Sequence, residues 1–470
     1  MIEDSRSDFE FKTIDQQELD PRAVTVIGAG PAGTLISILL AQRGYNVTAF
    51  ERLPDLRHST ASAGRSINLA LADRGIHALK EAGVFASVEP LLIPMRGRML
   101  HDAEGRQSLF PYGQGAHEVI FSVSRNGLNA ALLNHAERTH NVQLRFRQTC
   151  ISVDAQQNAL RMQDIPSGNL YALPLRHIIG ADGAGSVLRR YLTEIGGVAC
   201  SEDLLAHGYK EITLPPELGT HRIDRNALHV WPRGDFMLIA LPNLDGSFTA
   251  TLFLPLDGDN SFATLTTPGA VDSFFKTHFA DVCEWAPDLA TQFFARPTGS
   301  MGTVRCNGWT LDDRLVLIGD AAHAIVPFHG QGMNCAFEDC IELSDRLATQ
   351  TDWSGAAADF FQARKPNTDA IADMALENYI EMRDTVRHPK FHLQRELSLE
   401  LERRFPRRFV PRYSMVMFHH DIPYAQAYER GAIQARILSE LTEQVESLGD
   451  VSFDTAKTLI ESRLQPLSQE

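Results

Sequence analysis

Apolar residues along this chain first gather in short unbroken runs. Ala23-Val24-Thr25-Val26-Ile27, Ile178-Ile179 and Leu315-Val316-Leu317-Ile318 are the clearest. Runs this short, closed by glycine, predict parallel strands covered on both faces. Thr34 to Gln42 predicts an apolar helix, and Asn46-Val47-Thr48-Ala49-Phe50 a second strand. Between 201 and 299 the period becomes two, as in Phe248-Thr249-Ala250-Thr251-Leu252-Phe253-Leu254, which predicts an antiparallel sheet with one buried face. From about 366 the period turns helical. Ile371, Met374, Leu376, Tyr379 and Ile380 recur at roughly helical spacing, while Leu393, Leu397, Leu401 and Ile433, Ile437, Leu441 fall four apart. The expected organisation is a polar, flexible extension over 1–22, a discontinuous α/β domain over 23–200 and 300–365, an inserted sheet over 201–299, and a helical cap over 366–470.

Ala23 to Ala41 is 19 residues without a charge. That is about the length of a membrane span. The segment before it is acidic, where a signal peptide needs positive charge, and three glycines and a proline interrupt it. A buried strand, a turn and a buried helix account for it better. No apolar run near 18 residues follows Ser452, so a membrane anchor is not expected.

Composition narrows the partners. The 470 residues carry 44 basic and 59 acidic side chains, and 44 − 59 gives −15. A surface this acidic repels nucleic acid and anionic membranes. The six cysteines (Cys150, Cys200, Cys283, Cys306, Cys335, Cys340) lack zinc spacing and are too scattered for a disulfide scaffold. A reducing cytoplasm is the expected setting. His419-His420 has no third ligand at sensible spacing, so no metal is expected. The arginines between 403 and 412 read as a solvated helix end.

The candidate chemistry begins at Gly28-Ala29-Gly30-Pro31-Ala32-Gly33. This G-x-G-x-x-G lies between a strand and a helix, with Glu51 18 residues after Gly33 at the end of the next strand. In that setting Gly28 serves the tight turn, Gly30 the approach of a pyrophosphate, and Gly33 helix–strand packing. The pyrophosphate meets free N–H groups at the helix start. Glu51 is placed for ribose hydroxyls. Two further strands end in glycine and aspartate, at Gly180-Ala181-Asp182-Gly183 and Gly319-Asp320. They put carboxylates at the edge of a parallel sheet where ligands of doubly wound folds bind. No second G-x-G-x-x-G is present.

With these fingerprints stand several longer stretches: Gly64-Arg65-Ser66-Ile67-Asn68-Leu69-Ala70-Leu71, Arg96-Gly97-Arg98-Met99, His207-Gly208-Tyr209-Lys210-Glu211, Val326-Pro327-Phe328-His329-Gly330-Gln331-Gly332-Met333-Asn334, Met374-Ala375-Leu376-Glu377-Asn378-Tyr379 and Arg412-Tyr413-Ser414-Met415-Val416. Together they resemble the kynurenine 3-monooxygenase family, in its soluble bacterial form, within the flavoprotein aromatic hydroxylases. The resemblance runs from about Ala23 to the C-terminus. It implies a Rossmann-like FAD-binding domain, an inserted mostly antiparallel substrate sheet and a C-terminal helical cap. It implies bound FAD, NADPH as a transient co-substrate, and O2. The flavin C4a-hydroperoxide would hydroxylate L-kynurenine to 3-hydroxykynurenine.

The resemblance also assigns residues. Gly28, Gly30, Gly33, Glu51 and Arg52 would hold the ADP half of FAD, Arg125 the flavin's central portion, and Asp320 the ribityl chain. Gly330, Gly332, Met333 and Asn334 would present backbone N–H groups to the flavin ring. Phe328 and His329 would line the ring's substrate side, with Arg98, Tyr112, Asn378 and Tyr413 around the amino-acid end. The cofactor carries the oxygen chemistry, so no catalytic base is nominated; His323 is expected to pack or hydrogen-bond locally. Two alternatives fit the same motifs. One is a sister hydroxylase for another ortho-aminoaryl amino acid or an anthranilate-like ring. The other is a flavin oxidase or interaction module that releases H2O2.

Overall fold

A computed structural model of the chain describes residues 20–58, 68–115, 117–216, 223–286 and 288–467. Most of the 1–22 extension and the Gly64–Ile67 part of one motif lie outside them. The first sheet has six strands in the order Thr310–Leu311, Leu315–Leu317, Ile178–Gly180, Ala23–Ile27, Asn46–Glu51, Val142–Phe146. All pairs are parallel except the first. Val24, Val26, Ile178, Ile179, Leu315, Val316 and Leu317 are buried. These strands come from distant parts of the sequence, which is why the domain is discontinuous.

A seven-stranded sheet follows the order Gly299–Cys306, Cys200–Leu214, Phe248–Pro255, Met237–Pro242, Leu228–Pro232, Gly97–His101, Gln107–Pro111. It is antiparallel apart from the pairing of Leu228–Pro232 with Gly97–His101. The sheet therefore reaches past 201–299 at both sides, because strand pairing recruits Gly97–His101 from the first domain. Its period-two pattern sorts side chains cleanly. Leu238, Ala240, Ala250, Leu252 and Leu254 pack with Phe274, Phe275, Phe279 and Phe293 of the helices behind. Leu228, Met237, Ile239, Leu241, Thr249 and Thr251 face a cavity on the other side. A fully buried Phe such as Phe275 contributes roughly 1.5–3 kcal/mol, so a one-residue register slip would be costly. Cys200 and Cys306 face each other across two strands and are bonded, with Cα atoms 4.1 Å apart. A separation of 106 residues hid that pair from the sequence.

The cap begins inside a long helix, Trp353–Arg383, which continues through Pro366 rather than starting there. The helices Pro389–Arg404, Arg412–Phe418, Tyr424–Thr442 and Phe453–Arg463 complete it. Leu397, Leu401, Ile437 and Leu441 share one buried cluster, as their four-residue spacing predicts. Among the described residues no helix is long and apolar enough to cross a membrane.

Candidate active site

The strand Ala23–Ile27 and the helix Pro31–Gln42 meet at the glycine loop. Gly28 has φ +101°, and a Cβ there would overlap the Ala181 carbonyl. A Cβ on Gly33 would fall on the carbonyl oxygen of Gly28. A Cβ on Gly30 would meet nothing within 4 Å. The first and third glycines are thus required by the protein's own packing, whereas the second keeps a face open. Glu51 accepts from Ala29 N at 2.9 Å and from Leu53 N at 2.8 Å. It holds the loop as well as the strand end, and a carboxylate has acceptor capacity left for a hydroxyl. Arg52 and Arg125 are exposed, Arg125 as the first residue of the helix Arg125–Arg138.

The two strand-end aspartates part company. Asp182 turns back to accept from Val187 N at 2.8 Å, and burial pushes its carboxyl pKa up. Asp320 lies exposed on the wall of the cavity, after Gly319 with its φ of +57°, and makes no hydrogen bond to a described residue. Next to it, Pro327–His329 forms a short turn that ends at Gly330 (φ +69°). Gly332 then opens the helix Gly332–Thr349. The first-turn amides of Gly332, Met333 and Asn334 have no partner within that helix. Asn334's side chain is occupied: it accepts from Ala72 N at 3.0 Å and donates to Ala70 O and Gly330 O at 2.9 and 3.0 Å. It can offer a ligand only its backbone. Among the described residues, an open glycine face, first-turn amides without a helical partner and a carboxylate without a hydrogen-bond partner fit a dinucleotide with a polyol chain.

On the other side lies a cavity of about 390 Å³ under the seven-stranded sheet. Arg98 enters it from the Gly97–His101 strand and is 8% exposed. Its Nη1 donates to Glu381 Oε1 at 3.0 Å and its Nη2 to Asn378 Oδ1 at 3.2 Å. Its guanidinium lies 5.1 Å from the Tyr413 ring centre, and Tyr413 stacks on Tyr112 at 5.3 Å. Burial opposes the Arg98 charge, but Tyr413, Glu381 and Tyr112 raise its pKa above the ordinary value. Arg98 Nε and the Tyr112 hydroxyl have no hydrogen-bond partner among the described residues. Phe328 stacks on Tyr379 at 3.9 Å and meets Phe253 edge-on. Asn378 stands behind Arg98, outside the cavity wall, with its Nδ2 donating to Phe328 O at 2.6 Å.

The FAD-binding domain family (FAD_binding_3) matches residues 22–231 and 283–359. A kynurenine 3-monooxygenase of Myxococcus xanthus is 46% identical over 448 residues, 95% of this chain and 96% of that one. Its counterpart in Stenotrophomonas maltophilia is 46% identical over 447 residues, 95% and 98% of the two chains. The chain belongs to the kynurenine 3-monooxygenase family. It is an FAD-dependent aromatic monooxygenase. Solved structures share the fold: 2-methyl-3-hydroxypyridine-5-carboxylic acid oxygenase at TM-score 0.62 and 19% identity, over 78% of this chain and 94% of that one. PqsL of Pseudomonas aeruginosa in complex with 2-aminobenzoylacetate reaches 0.63 at 19% identity, over 78% and 97%.

Several residues around the site carry no motif. Glu381 pairs with Arg98, yet no motif marked it. It lies three residues after Asn378, on the same helix face. Arg395, from the cap helix Pro389–Arg404, donates to Pro111 O, and burial and the nearby Arg98 lower its pKa. His323 hydrogen-bonds within the fold, as expected, donating to the fully buried Asp339 at 2.5 Å. Cys335 lies with them, all three within 4.8 Å. Arg364 and Gly319 N also bind Asp339, so its oxygens are engaged within the fold.

His329 carries a pH signature. Burial first, then Arg98 and Arg412, push its pKa down to about 3. The unfolded chain protonates this ring near pH 6.5. Above that pH both states are neutral and the stability is intact. Below it the unfolded state holds the extra proton, and stability falls by about 1.4 kcal/mol per pH unit until the folded ring titrates. Urea midpoints measured from pH 7 to pH 4 should fall more steeply for the native chain than for His329→Gln. Parallel curves would clear His329 of the effect.

Proposed function

We propose that the protein hydroxylates L-kynurenine to 3-hydroxykynurenine. Kynurenine, NADPH, a proton and O2 would give 3-hydroxykynurenine, NADP+ and water. The observation that carries this reading is the buried Arg98 on the wall of an otherwise largely apolar cavity, where it is paired with the half-buried Glu381. The carboxylate of an amino acid complements Arg98. The guanidinium can take the carboxylate with two parallel N–H···O bonds. Tyr112 and Tyr413 add hydroxyls within an aromatic wall. Asn378, held by Phe328 O, keeps Arg98 turned toward the cavity.

The aryl ring would lie under Leu228, Ile239 and Leu241, with Phe328 and His329 closing the far side. FAD would be held by Gly28, Gly30, Gly33, Glu51 and Asp320 and by the amides of Gly332, Met333 and Asn334, with Arg52 and Arg125 on its exposed side. When bound and reduced by NADPH, it supplies the activation of O2. The chain's own residues position the ring and keep water away. The ring amine already supplies electrons, and His329 stays neutral, so neither a strong base nor a metal is needed.

The deciding experiment incubates the flavin-loaded protein with NADPH, kynurenine and O2, then weighs the product. A gain of one oxygen atom is expected. Peroxide with unaltered kynurenine would overturn the substrate assignment.

A further inference from the structure

Tyr413 reaches the cavity from a helix of seven residues, Arg412–Phe418. So short a helix cannot hold itself in place, and its last carbonyls need outside donors. A single side chain of the first domain supplies several of them. Arg74, 1% exposed on the helix Asp73–Glu81, donates through Nε to Val416 O at 2.9 Å and through Nη2 to Met415 O at 3.2 Å. It also donates to His419 O at 3.1 Å and to Ile422 O, and it stacks 4.0 Å over the Tyr424 ring. The neighbouring Asp73 accepts from His420 N and faces its Nδ1 at 2.7 Å.

The same arginine starts a buried chain of ion pairs. Its Nη1 donates to Glu338 at 2.5 Å. Arg364 donates to the other Glu338 oxygen at 3.0 Å and to Asp339 at 2.8 Å. Asp339 accepts from Gly319 N at 3.0 Å, directly before Asp320. Two arginines and two carboxylates thus balance in charge between the Tyr413 helix and the Asp320 turn. The reaction as derived above uses none of them.

We propose that Arg74 and Glu338 are positioning residues that clamp the Arg412–Phe418 helix, and with it Tyr413, against the cavity. Arg364 and Asp339 extend the clamp to the turn that carries Asp320. A guanidinium suits this work because its planar fork fixes several acceptors at once, which an ammonium cannot.

Two variants test the clamp in the flavin-loaded protein. Arg74→Lys keeps the charge beside Glu338 but cannot span the carbonyls. Glu338→Gln keeps an acceptor for Arg74 but removes its charge, and it serves if Arg74→Lys does not fold. Hydrogen exchange of the 412–422 amides should speed up by about tenfold, while the Tyr424–Thr442 helix stays unchanged. The kinetic arm rests on the proposed kynurenine reaction. Half-saturation for kynurenine should rise about tenfold, and a larger share of the NADPH oxidised should end as peroxide, with flavin content and half-saturation for NADPH unchanged. Unaltered exchange at 412–422 in a folded variant would overturn the clamp, whatever the substrate. Faster exchange with unaltered half-saturation and coupling would overturn the link to Tyr413. If the native chain leaves kynurenine unaltered, the function fails, and the exchange arm still decides the clamp.

Discussion

Arg98→Ala should lose roughly 2–5 kcal/mol of kynurenine binding, about 30-fold in affinity at the lower end, while keeping its flavin. The size follows from burial. The guanidinium is 8% exposed, and it shares its donors between Glu381 and Asn378. Without it a substrate carboxylate would enter a cavity with no cationic partner on that strand and with Glu381 close by. Like charges in a shielded site repel strongly. Arg98→Lys should recover only part of the loss, because an ammonium cannot make the paired N–H···O contact. The residue lies on the sheet, away from the glycine loop, so flavin absorbance should stay at the native level. Half-saturation for kynurenine equal to that of the native protein would remove Arg98 from the site.

The second large effect separates two glycines three residues apart: Gly30→Val should give a folded but colourless protein, whereas Gly33→Ala should damage the fold itself. A Cβ on Gly30 meets no atom of the described residues within 4 Å, so the fold leaves room for a side chain there. It does occupy the face that the pyrophosphate must approach. On Gly33 even one methyl group collides with the Gly28 carbonyl, and the helix must move off the strand. Overpacking of that kind costs typically about 1–3 kcal/mol, occasionally more. Visible absorbance after adding FAD, read beside the thermal midpoint of the apoprotein, checks both. A yellow Gly30→Val protein with native flavin content would place the cofactor elsewhere.

Much of this was legible because it is local. The unbroken run at Ala23–Ile27, the glycine spacing and the period-two stretch at Phe248–Leu254 are written in consecutive residues, and backbone geometry turns them directly into a strand, a loop and a sheet face. The backbone amides of Gly332, Met333 and Asn334 were named through resemblance, and they fall in the first turn of the helix Gly332–Thr349. Arg98, Tyr112 and Tyr413 could be named only through resemblance, yet the fold brings all three to one cavity.

Other features are decided by pairing between distant segments. Gly97–His101 joins the seven-stranded sheet because Leu228–Pro232 lies parallel to it, so Arg98 reaches a cavity lined mostly by distant segments. Asp182 and Asp320 end similar strands, but Asp182 accepts from Val187 N while Asp320 has no hydrogen-bond partner among the described residues. Glu381, Arg74 and Asp339 carry no sequence signature, because what matters in each is a partner dozens to hundreds of residues away. Periodicity determined which faces are apolar and where the cofactor loop lies. Only the tertiary structure decided which buried charges meet, because a buried charge is stable only beside its partner, and that partner is chosen by packing rather than by position in the chain.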